Sequence, residues 1–119
     1  MKEKIYTVPI SEAFERPDEG CPLCFLRRNL EEASLRYILG DAMMEPSVRL
    51  ETNARGFCAR HLARMLERPA RLSLALMLES LYAHLEETGG KNLPALEAGC
   101  YVCDRIALFM EHFRRIIVW

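Results

Sequence analysis

Five cysteines in a chain of 119 residues constrain its fold more than any other feature. Four of them form two C-x-x-C pairs, Cys21-Pro22-Leu23-Cys24 and Cys100-Tyr101-Val102-Cys103. The fifth, Cys58, stands three residues before His61 in Gly56-Phe57-Cys58-Ala59-Arg60-His61. The opening residues, Met1 to Ile10, show no apolar signal-peptide core and no small-residue cleavage site. No stretch approaches the ~20 apolar residues of a membrane helix. The expectation is a cytoplasmic chain with no membrane attachment, whose thiols stay reduced. In that setting C-x-x-C points to metal or redox chemistry rather than to structural disulfides.

The rest of the composition is that of a soluble globular domain: 50% hydrophobic and 28% charged. A net charge of -1 excludes a globally basic nucleic-acid binder while leaving room for a local basic patch. Apolar residues recur at three- and four-residue steps almost throughout, so the expected fold class is all-α, a small antiparallel helical bundle stapled by metal. Residues 1–119 are read as a single domain. Lys4 to Ile10 suggest an extended arm, because Pro9 argues against a central strand. Ser11 then caps a brief helix with Ala13 and Phe14, and Pro17-Asp18-Glu19-Gly20 makes a turn.

A first long helix is expected over 22–39, with Leu23, Leu26, Leu30, Ala33, Tyr37 and Ile38 on its apolar stripe. Arg27, Arg28, Glu31, Glu32 and Arg36 fall on its other face. After a connector over 41–46, helices follow over about 47–55, from 57 to before Pro69, and over 69–87. Leu74, Leu78, Leu81 and Leu85 mark one stripe of the last of these, with Leu72 and Leu76 beside it. Residues 89–99 read as a loop, and a final helix runs from about 100 to 119. The two C-x-x-C pairs each open a helix, which suggests an old duplication whose second unit begins near residue 100 and is incomplete at the C-terminus.

Zinc prefers four thiolate or imidazole donors at the corners of a tetrahedron. A C-x-x-C leading into a helix aims two sulfurs at one point, where the helix dipole favours their negative charge. Cys58 and His61 share a helix face. The expected zinc ligands are therefore Cys21, Cys24, Cys58 and His61. Cys100 and Cys103 form a second half-site, completed by another chain or by missing sequence, or left as a reduced dithiol. A Cys₄ set of 21/24 with 100/103 is the remaining arrangement. His84 and His112 are weaker candidates to complete the Cys100/Cys103 half-site, and His112 stands ~13 Å from Cys103 along its own helix. An iron–sulfur cluster, or no cofactor, is the alternative to zinc.

A closed four-ligand site is structural, because a catalytic zinc keeps a position for water. No H-E-x-x-H, G-x-S-x-G or phosphate-cradling glycine loop occurs, so no catalytic residue is assigned. Arg60, Arg64, Arg68 and Arg71 step by four, four and three, which makes a candidate anion or nucleic-acid face. The near-neutral charge favours a solvated helix face instead. Met43 and Met44 line a groove or fill the core. Phe113, Ile116 and Trp119 on an uncapped terminal helix offer a surface for a homodimer or a protein partner.

Taken together, these residues resemble an uncharacterised family. The segments are Lys2 to Thr7, Glu12-Ala13-Phe14, Cys21 to Cys24, Met44-Glu45-Pro46, Arg49, Glu51-Thr52-Asn53, Gly56-Phe57-Cys58, His61, Leu74 to Leu78 and Cys100 to Ile106. They look like the N-terminal half of a domain of unknown function from Gram-positive anaerobes. The resemblance implies members about twice this length, with a further Gly-Phe-Cys-x-x-His after the Cys-Tyr-Val-Cys pair, and hence a truncated chain here. Some members carry the label of an ABC transporter substrate-binding protein, which the missing export signal disfavours. The expected function is a non-enzymatic metal-binding module that scaffolds an interaction or regulatory surface. A thiol redox sensor or oxidoreductase, a nucleic-acid binder using the arginines, and a solute-binding transport component are the alternatives.

Overall fold

The computed structural model describes residues 2–15 and 20–118. The expected turn at 17–19 and the terminal Trp119 lie outside the described residues. Seven α-helices follow one another in the described residues: α1 (Lys2–Phe14), α2 (Pro22–Leu39), α3 (Pro46–Arg55), α4 (Ala59–Leu66), α5 (Arg71–Glu87), α6 (Leu93–Ala98) and α7 (Tyr101–Val118). A 3-10 turn (Asp41–Met44) joins α2 to α3. The all-α class is thus observed. No described helix is long and apolar enough to cross a membrane.

The chain divides into two compact units, Met1–Ser34 with Arg105–Trp119, and Leu35–Asp104. In the first unit, Ala13, Leu26 and Phe113 form a buried cluster, with Ile10, Phe25, Leu30, Phe109 and Met110 packed around it. This explains the first departure from expectation. The segment around Pro9 is not an extended arm; it is part of α1, with Pro9 inside the helix. Proline removes one backbone hydrogen bond. Burial of Ile10 and Ala13 on the helix outweighs that local preference, as tertiary packing often does.

In the second unit α3 packs on α5, on α6 and on the 3-10 turn, and α4 packs on α5. Leu35, Ile38, Met43, Met65, Leu74 and Met77 are buried there. Met43 fills the core while Met44 is exposed, so the two methionines do not line a common groove. On α2 the buried positions are Leu26, Glu31, Ser34, Leu35, Ile38 and Leu39, whereas Leu23, Ala33 and Tyr37 are exposed. The apolar stripe drawn from hydrophobicity alone therefore catches Leu26, Leu30 and Ile38 and misses the inward Leu35 and Leu39. The helix belongs to one unit up to Ser34 and to the other from Leu35. On α5, Leu74 and Met77 are buried and Leu72 is exposed.

Residues 93–98, expected as loop, form α6. The local signal is present: Pro94 sits in the first turn, and Ala95, Leu96, Glu97 and Ala98 are strong helix formers. Gly89 and Gly90 close α5 at φ +62 and +81, a region that side chains rarely adopt.

Leu35 is fully buried and Leu50 is largely exposed. Leu35→Ala is expected to cost about 2–5 kcal/mol of unfolding free energy. Leu50→Ala should stay within about 0.5 kcal/mol. Urea denaturation followed by circular dichroism measures both.

Candidate metal centre

Two short stretches carry the donors, and both use the same local geometry. Cys58 is the N-cap of α4, in extended conformation at φ -73 and ψ 161, and His61 lies in the first turn of that helix. Cys100 immediately precedes α7, and Cys103 lies in its first turn. A cap residue and the residue three places on face the same way, which is the geometry a capping box exploits with oxygen. Here sulfur stands at the cap. The Cys103 amide donates to Cys100 Sγ at 3.4 Å.

Backbone contacts bring the two helix starts together. The Tyr101 N–H donates to the Gly56 carbonyl at 2.8 Å, tying the approach to α4 to the first residue of α7. Gly56 sits at φ +64, where a Cβ would also meet Leu96 Cδ2 at 3.2 Å. Gly99 passes so close to α3 that a Cβ would stand 2.7 Å from the Arg55 carbonyl oxygen and 2.9 Å from that of Ala95. No other residue type fits that gap without a backbone shift. Arg55 then clamps the start of α7 through a two-pronged ion pair with Asp104, at 2.6 and 3.1 Å.

The result is a group of four ligating side chains, Cys58, His61, Cys100 and Cys103, whose donor atoms all lie within 4.8 Å of one another. His61 Nδ1 stands 3.2 Å from Cys58 Sγ, 3.4 Å from Cys100 Sγ and 3.4 Å from Cys103 Sγ. The sulfurs of Cys58 and Cys103 are 3.9 Å apart. A tetrahedral cation with thiolate and imidazole ligands requires edges of about 3.8 Å between sulfurs and about 3.5 Å between nitrogen and sulfur. The side chains thus lie close enough to hold a metal ion. His61 and Cys100 are buried, Cys58 is half-buried and Cys103 is exposed.

The electrostatics follow from this crowding. Burial alone would raise the Cys58 pKa, but the amides of His61 and Arg60 and the thiols of Cys100 and Cys103 outweigh it, and the thiol is lowered. Cys103 is pushed up to about 12, first by burial and then by its neighbours Cys100 and Cys58. Three sulfurs this close cannot all ionise without a cation among them. A redox dithiol needs its accessible sulfur lowered, and the accessible one here is raised.

The structure brings together half of the sequence-predicted ligand set and exchanges the other half. Cys58 and His61 are joined by Cys100 and Cys103, the residues expected to form a separate half-site. Cys21 and Cys24 are exposed at the start of α2, in the other unit, and are not members of the group. The physical reason is that three donor pairs share one spacing, so spacing cannot say which two meet; the glycine contacts decide it. His84 and His112 are half-buried on α5 and α7 and also stand outside the group. Arg60 and Arg64 are exposed on α4, Arg68 lies in the turn after it and Arg71 opens α5, so a helix break interrupts their row.

A helical unit carrying a Cys₃His group is the class these features define. The chain belongs to a family of unknown function, DUF6062, whose model matches residues 1–95. The match contains Cys58 and His61 and ends before Cys100 and Cys103. No curated protein and no solved structure matches it.

Gly99→Ala forces the Arg55 and Ala95 carbonyls away from α7. It is expected to weaken metal binding by about 10–100-fold, the range typical of changes to the support behind metal ligands. Competition against a chromophoric chelator reads this directly.

Proposed function

We propose that this protein is a non-enzymatic module in which one zinc ion, held by Cys58, His61, Cys100 and Cys103, staples the unit Leu35–Asp104 and presents its helices as an interaction scaffold. The observation that carries this reading is the set of donor separations, which match the edges of a zinc tetrahedron. Four protein ligands leave no coordination position for a substrate or water, which supports a structural role. Two helix N-termini point at the donors and favour thiolate there. All three thiols are free of disulfides, and free thiols persist in a reducing compartment, which supports a cytoplasmic setting. Exposed apolar side chains on the same unit, Leu50, Leu66, Leu72 and Tyr82, supply contact area for a protein partner.

Cys58→Ser and Cys100→Ser are each expected to remove about one equivalent of zinc per chain, because a tetrahedral site with a missing thiolate binds far more weakly. Arg60→Ala, beside the ligands but not among them, should keep its zinc. Elemental analysis of the proteins purified under reducing conditions decides this. Wild-type protein free of zinc, with all thiols titrating freely, would overturn the reading.

Protons compete with the metal for three sulfurs and one imidazole. Protonation favours the metal-free form, so stability contributed by zinc is present at neutral pH and is lost as pH falls. Zinc release between about pH 7 and pH 5, followed with a zinc-sensitive dye, should coincide with loss of helical signal from this unit.

A further inference from the structure

The chain contains a third copy of the local device that builds the metal centre. Cys21 immediately precedes α2 and Cys24 lies in its first turn, the same positions that Cys100 and Cys103 take on α7 and Cys58 and His61 take on α4. Both α2 and α7 are 18 residues long. The Cys24 amide donates to Cys21 sulfur, as the Cys103 amide does to Cys100. The two thiols of the Cys21/Cys24 pair are hydrogen-bonded to each other, so both sulfurs already face one point. Elsewhere in this structure two such pairs meet to make a four-donor group. The third pair has no third ligating side chain gathered with it among the described residues.

The surroundings suit a thiolate site opened toward another chain. Cys24 is raised, first by its hydrogen bond to Cys21 and by that neighbour's charge, and the guanidinium groups of Arg28 and Arg27 act the other way. Their charges would offset the excess negative charge of a zinc tetrathiolate. Both cysteines are exposed, and Leu23 between them is exposed too. Leu23 also lines a largely apolar groove of about 320 Å³ with Ala107, Met110, Glu111, Arg114, Ile117 and Val118. A small-molecule thiol would complete the coordination without covering that apolar surface. A second protein surface does both.

We propose that Cys21 and Cys24 form one half of a zinc site whose other half is the same pair from a second copy of this chain. A two-fold axis through the metal then relates four sulfurs in a Cys₄ tetrahedron and lays the apolar grooves of the two copies against the joint. As the cation binds, the four thiols give their protons to water, and no oxidation is involved. The site is distinct from the Cys58 centre and stands or falls separately from it.

The test is zinc stoichiometry and molar mass of the full chain, measured together in the presence of a non-thiol reductant. Wild-type protein should carry about 1.5 zinc per chain, one closed site plus half of a shared one, and run as a dimer. Cys21→Ser/Cys24→Ser should carry about one zinc per chain and run as a monomer, with unchanged helical content because both sulfurs are exposed. Cys58→Ser/Cys100→Ser should lose about one equivalent yet remain a zinc-dependent dimer, which separates failure of one site from failure of the other. A dimer that persists in Cys21→Ser/Cys24→Ser overturns the proposal. So does a wild-type monomer, whether it carries one zinc per chain or two, since two would mean that the Cys21 pair is completed without a second copy.

Discussion

The metal centre depends on one close passage of backbone. Residues 55–57 and 99–101 run against each other with a Tyr101 N–H to Gly56 carbonyl bond of 2.8 Å, and Gly99 leaves no room for a side chain. That passage sets two helix N-termini side by side. Each helix start already presents a donor at its cap and another in its first turn, so placing the starts places all four ligands. Side-chain rotamers have little left to choose. The same contact directs the amide ends of two helices at the sulfurs; the α4 amides help to lower Cys58, while burial and its neighbours raise Cys103. Arg55 belongs to this arrangement as well. Its pair with Asp104 is surface-exposed and weak as an ion pair, but its two-pronged geometry fixes the orientation of the first turn of α7.

The sequence carried the helices plainly and the ligand pairing poorly. The span of α2 was legible to the residue, because Pro22 in the first turn and Gly40 after the last give position as well as type. α1 was not legible, since the local evidence of Pro9 opposes a helix and the burial that overrides it is non-local. α6 was missed although its residues favour a helix; two glycines before it and one after read as loop punctuation. The donors Cys58 and His61 were found by type and spacing. Their partners were not, because the chain offers Cys21/Cys24 and Cys100/Cys103 with equal claims. A signal did exist in Gly99 directly before Cys100 and Gly56 directly before Phe57-Cys58. Glycine next to a ligand marks a place where two backbones approach, and both half-sites that meet carry one nearby. Gly20 precedes Cys21 in the same way, at φ +86 with open space around it, so glycine alone could not have separated the three.

Burial of His61 gives the centre its energetic logic. An imidazole 2% exposed, in contact with three sulfurs, has left water for partners that are weak hydrogen-bond acceptors. Coordination converts that expense into a strong directional bond, which is why a buried histidine among thiols and a metal go together. Without a cation, burial and the neighbouring thiols push Cys103 up to about 12, and the ring's Nδ1 faces three sulfurs. Loss of a bound cation would therefore leave three thiols crowded around a buried imidazole in the unit Leu35–Asp104, not merely a missing crosslink.

The crosslink nonetheless matters by its span. Cys58 and Cys103 are 45 residues apart in sequence. A covalent tie over that distance would lower the entropy of the unfolded chain by an amount corresponding to about 4 kcal/mol. A metal that binds the folded unit but not the unfolded chain gains a comparable advantage through linkage. The segment between Cys58 and Cys103 holds α4, α5 and α6, and it buries Met65, Leu74, Met77, Cys100, Tyr101 and Val102. Within it, α5 buries Leu74 and Met77 and α6 buries no residue. A unit of this size has little surplus of buried surface. A cation bound at the two ends of that stretch would add a constraint to those its own side chains supply.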